Sequence, residues 1–134
     1  DMEFTAQLEG EIQNGQRSGI SAFYNSDYHY DIFVAKEQDV YRVCLRKRVA
    51  DIDVIVASCP IEYNNYIRFK IESNAEWYTF FYENNGEFIE LGRGKTTLLA
   101  TEVTHPMTFT GTFWGVFSEQ GNISVTHASA KELK

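Results

Sequence analysis

Hydrophobic and polar residues alternate with a period of two along much of the chain. Between residues 66 and 72, Ile67, Phe69 and Ile71 occupy alternate positions, and charged residues stand between them. Successive side chains of a β-strand point to opposite faces, so this alternation indicates an antiparallel strand with one buried face. Residues 2–9 show the same pattern. The chain is therefore predicted to consist mainly of strands.

Further strands are predicted, and residues that favour tight turns separate them. The clearest hairpin is at residues 84–86, because Asn and Gly readily adopt the positive φ values of a two-residue turn. Only residues 97–103 suggest a turn of helix. About ten short strands at regular spacing predict an all-β fold, either an antiparallel two-sheet β-sandwich or a barrel. The further strands are expected over residues 17–24, 28–35, 39–47, 51–58, 76–83, 88–91, 109–118 and 122–130.

The length and the charge define the class of protein. The 134 residues, of which 43% are hydrophobic and 15% aromatic, fit a single β-sandwich domain over residues 1–134 with a real core. The net charge of −7 argues against nucleic acid and against an anionic membrane as partners, because both require a basic surface. No apolar run is long enough for a membrane-spanning helix. The strand pattern starts at once after Asp1, so we expect a piece of a longer polypeptide.

The two cysteines are predicted to be free thiols. If residues 40–47 and 51–58 form a hairpin that turns near Ala50, Cys44 lies opposite Val56, and Cys59 lies several residues further along. That separation exceeds the short Cα distance of a disulfide. Free thiols are typical of a reducing compartment and favour a cytoplasmic location.

Few residues suggest chemistry of their own. Asp51 and Asp53 alternate on one strand, and a pair of carboxylates could cleave a glycan. They resemble part of the Glu-x-Asp-x-x-Glu strand of jelly-roll glycanases, but position 56 is Val56, so the simpler interpretation is two solvated aspartates. The histidines show no metal-ligand spacing, no pattern indicates calcium, and no cofactor is predicted. The basic residues 46–48 are interpreted as a solvated turn.

Aromatic side chains are the main candidates for binding. His29 points away from Tyr28 and Tyr30 and lies near Asp31, so it is either a half-buried histidine or a polar contact on a ligand-binding face. Trp114 is expected to point to the face opposite Phe113 and Phe117. If those two rings fill the core, Trp114 is exposed or covered by a loop. Such a ring serves either core packing or sugar stacking. In residues 77–82 both faces are aromatic, so this strand is either covered on both sides or used on one.

Several segments together resemble one family. Residues 19–34 (GISAFYNSDYHYDIFV), 77–82 (WYTFFY), 99–103 (LATEV) and 109–117 (FTGTFWGVF) are similar, in the same order, to segments of the C-terminal β-sandwich module of family 43 glycoside hydrolases. This is the group of β-xylosidases and arabinofuranosidases. The resemblance covers about residues 3–118 and implies a concanavalin A-like jelly-roll sandwich.

The resemblance also implies a division of labour. In that family the catalytic carboxylates belong to a separate five-bladed propeller domain, against which the sandwich packs. The loop before the Phe-Thr-Gly element leans over the active-site mouth, which places Phe109 and residues 104–108, including His105, near the substrate. Some relatives are also credited with binding xylan. We therefore expect no catalytic or metal-binding residue in this chain and name five residues as close to carbohydrate: Phe109, His105, Trp114, His29 and Tyr30.

Three functions follow from these observations. The first is a non-catalytic accessory module of a glycoside hydrolase that acts on xylan-type or arabinose-containing glycans. Its partners would be the propeller domain of the same polypeptide and an oligosaccharide. The second is a stand-alone, lectin-like glycan-binding domain. The third is a jelly-roll hydrolase that works through Asp51 and Asp53.

Overall fold

The computed structural model describes residues 2–96, 113–119 and 124–132, and these residues form ten antiparallel β-strands. A strand stands at each predicted position, although residues 109–112 of the ninth and the helical turn predicted at 97–103 lie outside the described residues. None of the described residues forms a helix that could cross a membrane. The strands are β1 (Met2–Glu9), β2 (Arg17–Asn25), β3 (Tyr28–Glu37), β4 (Val40–Val49), β5 (Ile52–Pro60), β6 (Tyr66–Ser73), β7 (Trp77–Asn84), β8 (Glu87–Lys95), β9 (Phe113–Glu119) and β10 (Ser124–Glu132).

The strands form two five-stranded sheets, which confirms the predicted two-sheet sandwich rather than a barrel. Sheet 1 has the order β10-β1-β6-β7-β8, and sheet 2 has the order β5-β4-β3-β2-β9. The second strand of the fold therefore pairs with the ninth, which brings residues about 100 positions apart into direct contact, as in the Ser18–Ser118 hydroxyl hydrogen bond of 2.9 Å.

The core lies between the sheets and contains one alternate set of residues from each strand. Phe69 and Ile71 of β6 are fully buried, as are Phe80 of β7 and Ile32 and Val34 of β3. Phe69 and Ile71 are among the residues that the period-two pattern assigned to one face. Burial of each large apolar side chain stabilises the fold by about 1.5–3 kcal/mol.

Tight turns follow the local chemistry. Asn85 and Gly86 have φ of 54° and 84°, the left-handed values that a two-residue hairpin turn requires, and they join β7 to β8. Ala50, at φ 59°, makes the turn between β4 and β5 where the sequence predicted it.

Both cysteines are free thiols, as predicted, but the expected reason was wrong. A bulge at Leu45 shifts the register, so Cys44 pairs with Ser58 and Cys59 pairs with the adjacent Val43. The two thiols are thus neighbours in the sheet, and they stay apart because they point to opposite faces. Cys44 packs on Phe33, and burial raises the pKa of its thiol, which disfavours the reactive thiolate.

Candidate functional site

A groove of about 600 Å³ lies on the outer face of sheet 2, the face turned away from sheet 1. Its volume falls within the range of small-molecule binding sites. We call it the outer-face groove. It runs across β9, β2, β3 and β4, and the residues that define it are Phe23, His29, Asp31, Arg46, Gly115 and Phe117.

The floor of the groove exists because two small residues lie side by side. Gly115 of β9 pairs with Ser21 of β2. A Cβ atom added at Gly115 would meet no heavy atom within 4 Å, so this glycine leaves open space on the sheet. Close backbone approach occurs instead at Gly19, where an added Cβ would lie 2.0 Å from the carbonyl oxygen of Ile32.

Asp31 is a buried carboxylate at one end of this floor. One of its oxygens, Oδ1, accepts a hydrogen bond from Ser21 Oγ at 2.6 Å. The other, Oδ2, accepts hydrogen bonds from His29 Nδ1 at 2.7 Å and from Arg46 Nε at 2.8 Å. Burial alone would raise the pKa of the Asp31 carboxyl, but these three donors outweigh it and lower the pKa below its usual value. Asp31 is therefore ionised, and its hydrogen bonds fix the positions of Ser21, His29 and Arg46 in the groove.

Arg46 links Asp31 to β9. Its guanidinium passes over the ring of Phe33 at 5.2 Å and the ring of Phe117 at 5.6 Å, and its Nη2 donates to Glu119 Oε1 at 3.0 Å. Burial would lower the pKa of Arg46, but its hydrogen bonds to Glu119 and Asp31 raise it. The interpretation of residues 46–48 as a solvated turn was wrong for Arg46, whose side chain is only 11% exposed, because β4 continues through it.

His29 and Phe23 form the opposite wall. The two rings stack with centroids 5.5 Å apart and an angle of 29° between their planes. A carboxylate can only accept, so His29 Nδ1 donates to Asp31, and the orientation of the imidazole is fixed. The expectation of His29 as a polar residue on a concave face is consistent with this position, while its contact with carbohydrate stays a prediction.

Tyr30 lies elsewhere, and the expectation that it contacts carbohydrate needs correction. Its side chain is fully buried between the sheets, where its ring meets those of Tyr78 and Phe80 edge-on. The hydroxyl donates to the Lys95 carbonyl oxygen at 2.9 Å, and burial raises its pKa. A residue with no exposed surface cannot contact a sugar. Tyr30 points inward because successive side chains of β3 alternate between the two faces of the sheet.

Trp114 also belongs to the core side of its strand. The predicted exposure required Phe117 to fill the core, but Phe117 packs on Phe33 at the outer face, with ring centroids 6.1 Å apart. Trp114 therefore faces sheet 1, where it stacks on Phe4 at 6.0 Å and meets Tyr78 edge-on at 5.8 Å. Its ring is used for packing between the sheets, but the residue is half-buried and also borders the outer-face groove, so its contact with carbohydrate stays a prediction.

The remaining two predicted site residues, His105 and Phe109, lie outside the described residues, and their closeness to a substrate stays a prediction. Sequence reasoning missed the contributions of Phe23, Arg46 and Glu119 to the groove. The nearest signal was the spacing of His29 and Asp31, which placed both on one face of a strand.

The described residues do not offer a pair of carboxylates for hydrolysis. Asp51 lies in the β4–β5 turn. Asp53 is exposed, and its Oδ2 lies 3.8 Å from Arg48 Nη1. Asp31 and Glu119 both bind Arg46, and both oxygens of the buried Asp31 already accept hydrogen bonds. Nor does the described part of the chain hold a group of three metal-ligating side chains. The arrangement can bind a ligand, but it lacks an acid and base for bond cleavage.

Aromatic rings on the outer face of sheet 1 are already covered by cations. Lys95 Nζ lies 4.3 Å from the ring centroid of Trp77, and Lys70 Nζ lies 4.5 Å from those of Phe81 and Phe88. The strand β7 is thus buried on one face and capped on the other, so these rings are less available to a sugar than the ring of Phe23.

An apolar strip marks the edge strand β5. Four aliphatic side chains are exposed on it: Ile52, Val54, Ile55 and Val56. Exposed apolar edge strands favour pairing with other chains, and natural proteins usually cover or interrupt them. We call these four residues the β5 strip. It lies at the edge of sheet 2 opposite β9.

Comparison with known proteins adds to this geometry. The family described as the β-xylosidase C-terminal concanavalin A-like domain matches residues 1–131. A xylan β-1,4-xylosidase from Bacillus halodurans superimposes with a TM-score of 0.86 and 17% identity over 98% of this chain and 27% of that one. GH43B of the Bacteroides ovatus xyloglucan PUL gives a TM-score of 0.80 and 20% identity over 96% and 25%.

These similarities to solved structures show the fold. An ancestral congerin also shares it, with a TM-score of 0.58 and 12% identity over 97% of this chain and 91% of that one. This chain spans about a quarter of the length of the two enzyme structures above.

Proposed function

Because this chain belongs to the family of C-terminal concanavalin A-like domains of β-xylosidases, we propose that it is the accessory module of a glycoside hydrolase acting on xylan-type or arabinose-containing glycans. The module is not itself the catalytic domain of such an enzyme. In the proposed arrangement it packs on a five-bladed propeller domain of the same polypeptide, and that domain cleaves the glycosidic bond. The observation that carries the proposal is the family match over nearly the whole chain, together with its coverage of only a quarter of the enzyme structures.

The β5 strip is the surface best suited to that contact. Val54 and Ile55 are adjacent on the strand and point to opposite faces, so a partner that encloses this edge would bury aliphatic side chains of both faces. The gain is about 25 cal/mol for each Å² of apolar surface buried. The charged residues on the same hairpin, Arg48 and Asp53, already face each other and would border the contact. An apolar centre with a polar rim is the usual composition of a specific interface.

The segment between β8 and β9 is proposed to reach the substrate site. This part of the proposal depends on the resemblance of residues 99–117 to the family, which implies that the loop before the Phe-Thr-Gly element leans over the active-site mouth. His105 and Phe109 would then shape the substrate site by contact and not by proton transfer.

A stand-alone lectin-like domain is the alternative. The outer-face groove favours it, because an exposed aromatic ring and oriented polar groups are what a glycan site requires. The family match favours the accessory module instead, since it is with a domain of larger enzymes. The two roles are compatible if the groove and the β5 strip serve different partners.

Association with the catalytic domain tests the proposal directly. This chain and the catalytic domain of its polypeptide would be purified separately, mixed, and studied by isothermal titration calorimetry. A 1:1 complex is expected. Val54→Asp should weaken it at least tenfold, because docking would bury the new carboxylate without a partner.

The chain offers a matched control for this experiment. Val125 of the edge strand β10 is 45% exposed, as is Val54. Val125→Asp therefore places the same charge on an equally exposed edge valine and should leave the affinity unchanged. Absence of a complex, or equal weakening by both variants, would contradict the proposed role of the β5 strip.

A further inference from the structure

The outer-face groove combines an exposed aromatic wall with room for a ring. Phe23 is 37% exposed although it lies on a strand that is otherwise mostly buried, and its ring is held by stacking on His29. Phe117 borders the other side, and the missing side chain at Gly115 opens the space between the two. The C–H face of a pyranose or furanose ring packs well on such an apolar surface.

Polar groups converge on the same space. His29 Nδ1 donates its hydrogen bond to Asp31, whereas His29 Nε2 has no hydrogen-bond partner among the described residues. Glu119 is 43% exposed and uses Oε1 to bind Arg46, while its Oε2 binds no described residue. An imidazole nitrogen and a carboxylate oxygen with fixed directions can hydrogen-bond two hydroxyl groups of one ligand.

The charge of the groove selects a neutral ligand. The groove contains two carboxylates, Asp31 and Glu119, and one guanidinium, Arg46. Both carboxylates bind this guanidinium, so negative charge is in excess. A phosphate or carboxylate ligand would meet this excess of negative charge and would have to displace one of the existing ion pairs. A neutral polyol needs neither.

From these observations we propose that the outer-face groove is a binding subsite for one or two units of a neutral sugar, separate from the β5 strip. The inference rests on the proposed function only for the choice of xylose- and arabinose-containing ligands. The aromatic wall supplies stacking, and His29 and Glu119 supply orientation. Asp31 and Arg46 position these two residues and do not need to touch the sugar.

Nuclear magnetic resonance titration of this chain tests the inference. Xylobiose, arabinobiose, cellobiose and lactose would each be added to the ¹⁵N-labelled chain up to tens of millimolar. At least one sugar is expected to give saturable shift changes confined to the amides of β2, β3 and β9. Binding of cellobiose or lactose alone would keep the subsite and contradict the proposed glycan class. No saturable change with any of the four, or changes elsewhere only, would overturn the subsite.

Two variants and one control locate the site. Gly115→Val fills the floor at a position where the fold has open space, and it should weaken binding at least tenfold while the spectrum stays dispersed. Phe23→Ala removes the aromatic wall and should do the same. Phe88→Ala, which truncates a half-buried ring on the outer face of sheet 1, should bind like the unchanged chain. If Gly115→Val and Phe23→Ala both fold and bind normally, the inference is wrong.

Discussion

Asp31 and Arg46 form an ion pair that is nearly closed to solvent on a face of the sheet that points away from the core. Arg46 Nε lies 2.8 Å from Asp31 Oδ2, and their side chains are 11% and 3% exposed. The pair is possible there because Phe33, Phe117 and His29 surround it with rings. It gives the outer-face groove a fixed geometry before any ligand arrives.

Removal of the Asp31 charge is predicted to destabilise the fold. Asp31→Asn leaves a buried guanidinium with one carboxylate instead of two, and we expect a loss of roughly 3 kcal/mol in the free energy of unfolding. Asp27→Asn is the control, since Asp27 pairs with Arg48 at 3.3 Å but is 63% exposed, and its loss should stay below about 0.5 kcal/mol. Urea denaturation measures both values. Similar losses for the two variants would contradict the buried role of Asp31.

The same carboxyl predicts a pH dependence of stability. The pKa of Asp31 is lowered in the folded state, while in the unfolded chain it is about 3.9. Near and below pH 4 the unfolded state therefore binds a proton that the folded state refuses, so stability falls as the pH falls. The difference in unfolding free energy between the unchanged chain and Asp31→Asn should be full at pH 6 and shrink as the pH drops below 4. A difference that is constant from pH 6 to pH 3 would contradict the lowered pKa.

Substitution of two glycines on the paired strands β2 and β9 is predicted to affect stability very differently. Gly19→Ala places a methyl group within 2.0 Å of the Ile32 carbonyl oxygen and 2.5 Å of Phe33 Cα, so the strands must separate, at a cost of about 3 kcal/mol or more. Gly115→Ala meets open space and should change stability by no more than about 0.5 kcal/mol. Thermal unfolding of both variants checks this. Equal melting temperatures would show that the strand spacing is wrong.

Phe109 provides a prediction on the substrate site. In the enzyme of which we propose this chain to be a module, Phe109→Ala should lower kcat/KM for a xylo-oligosaccharide roughly tenfold, because an aromatic contact near the substrate contributes about 1.5 kcal/mol. His127→Ala, on the exposed part of β10, is the control and should leave kcat/KM unchanged. Normal kinetics for Phe109→Ala would remove the proposed contact.

The strands could be predicted because alternation reports burial directly. The three apolar residues Ile67, Phe69 and Ile71 are buried as their pattern indicated. Alternation fails where both faces of a strand are apolar, as in β9, where Trp114 and Phe117 compete for the core. Only packing against Phe4 and Tyr78 decides that Trp114 faces inward.

The groove could not be predicted from local sequence. Arg46 and Glu119 are 73 residues apart, and they meet only because β9 pairs with β2 across the sheet from β4. The bulge at Leu45 also shifts the register between β4 and β5, and no pattern in the sequence predicted it. Register across four strands, rather than any motif, assembles Phe23, His29 and Arg46 around one space.

Hydrogen exchange of the proposed full-length enzyme, compared with this chain alone, measures most directly whether the module docks through the β5 strip. We expect amides of β5 to exchange at least tenfold more slowly in the full-length enzyme than in this chain alone, while those of the edge strand β10 exchange at the same rate in both. Unchanged exchange along β5, with protection at β10 or β8 instead, would contradict this expectation.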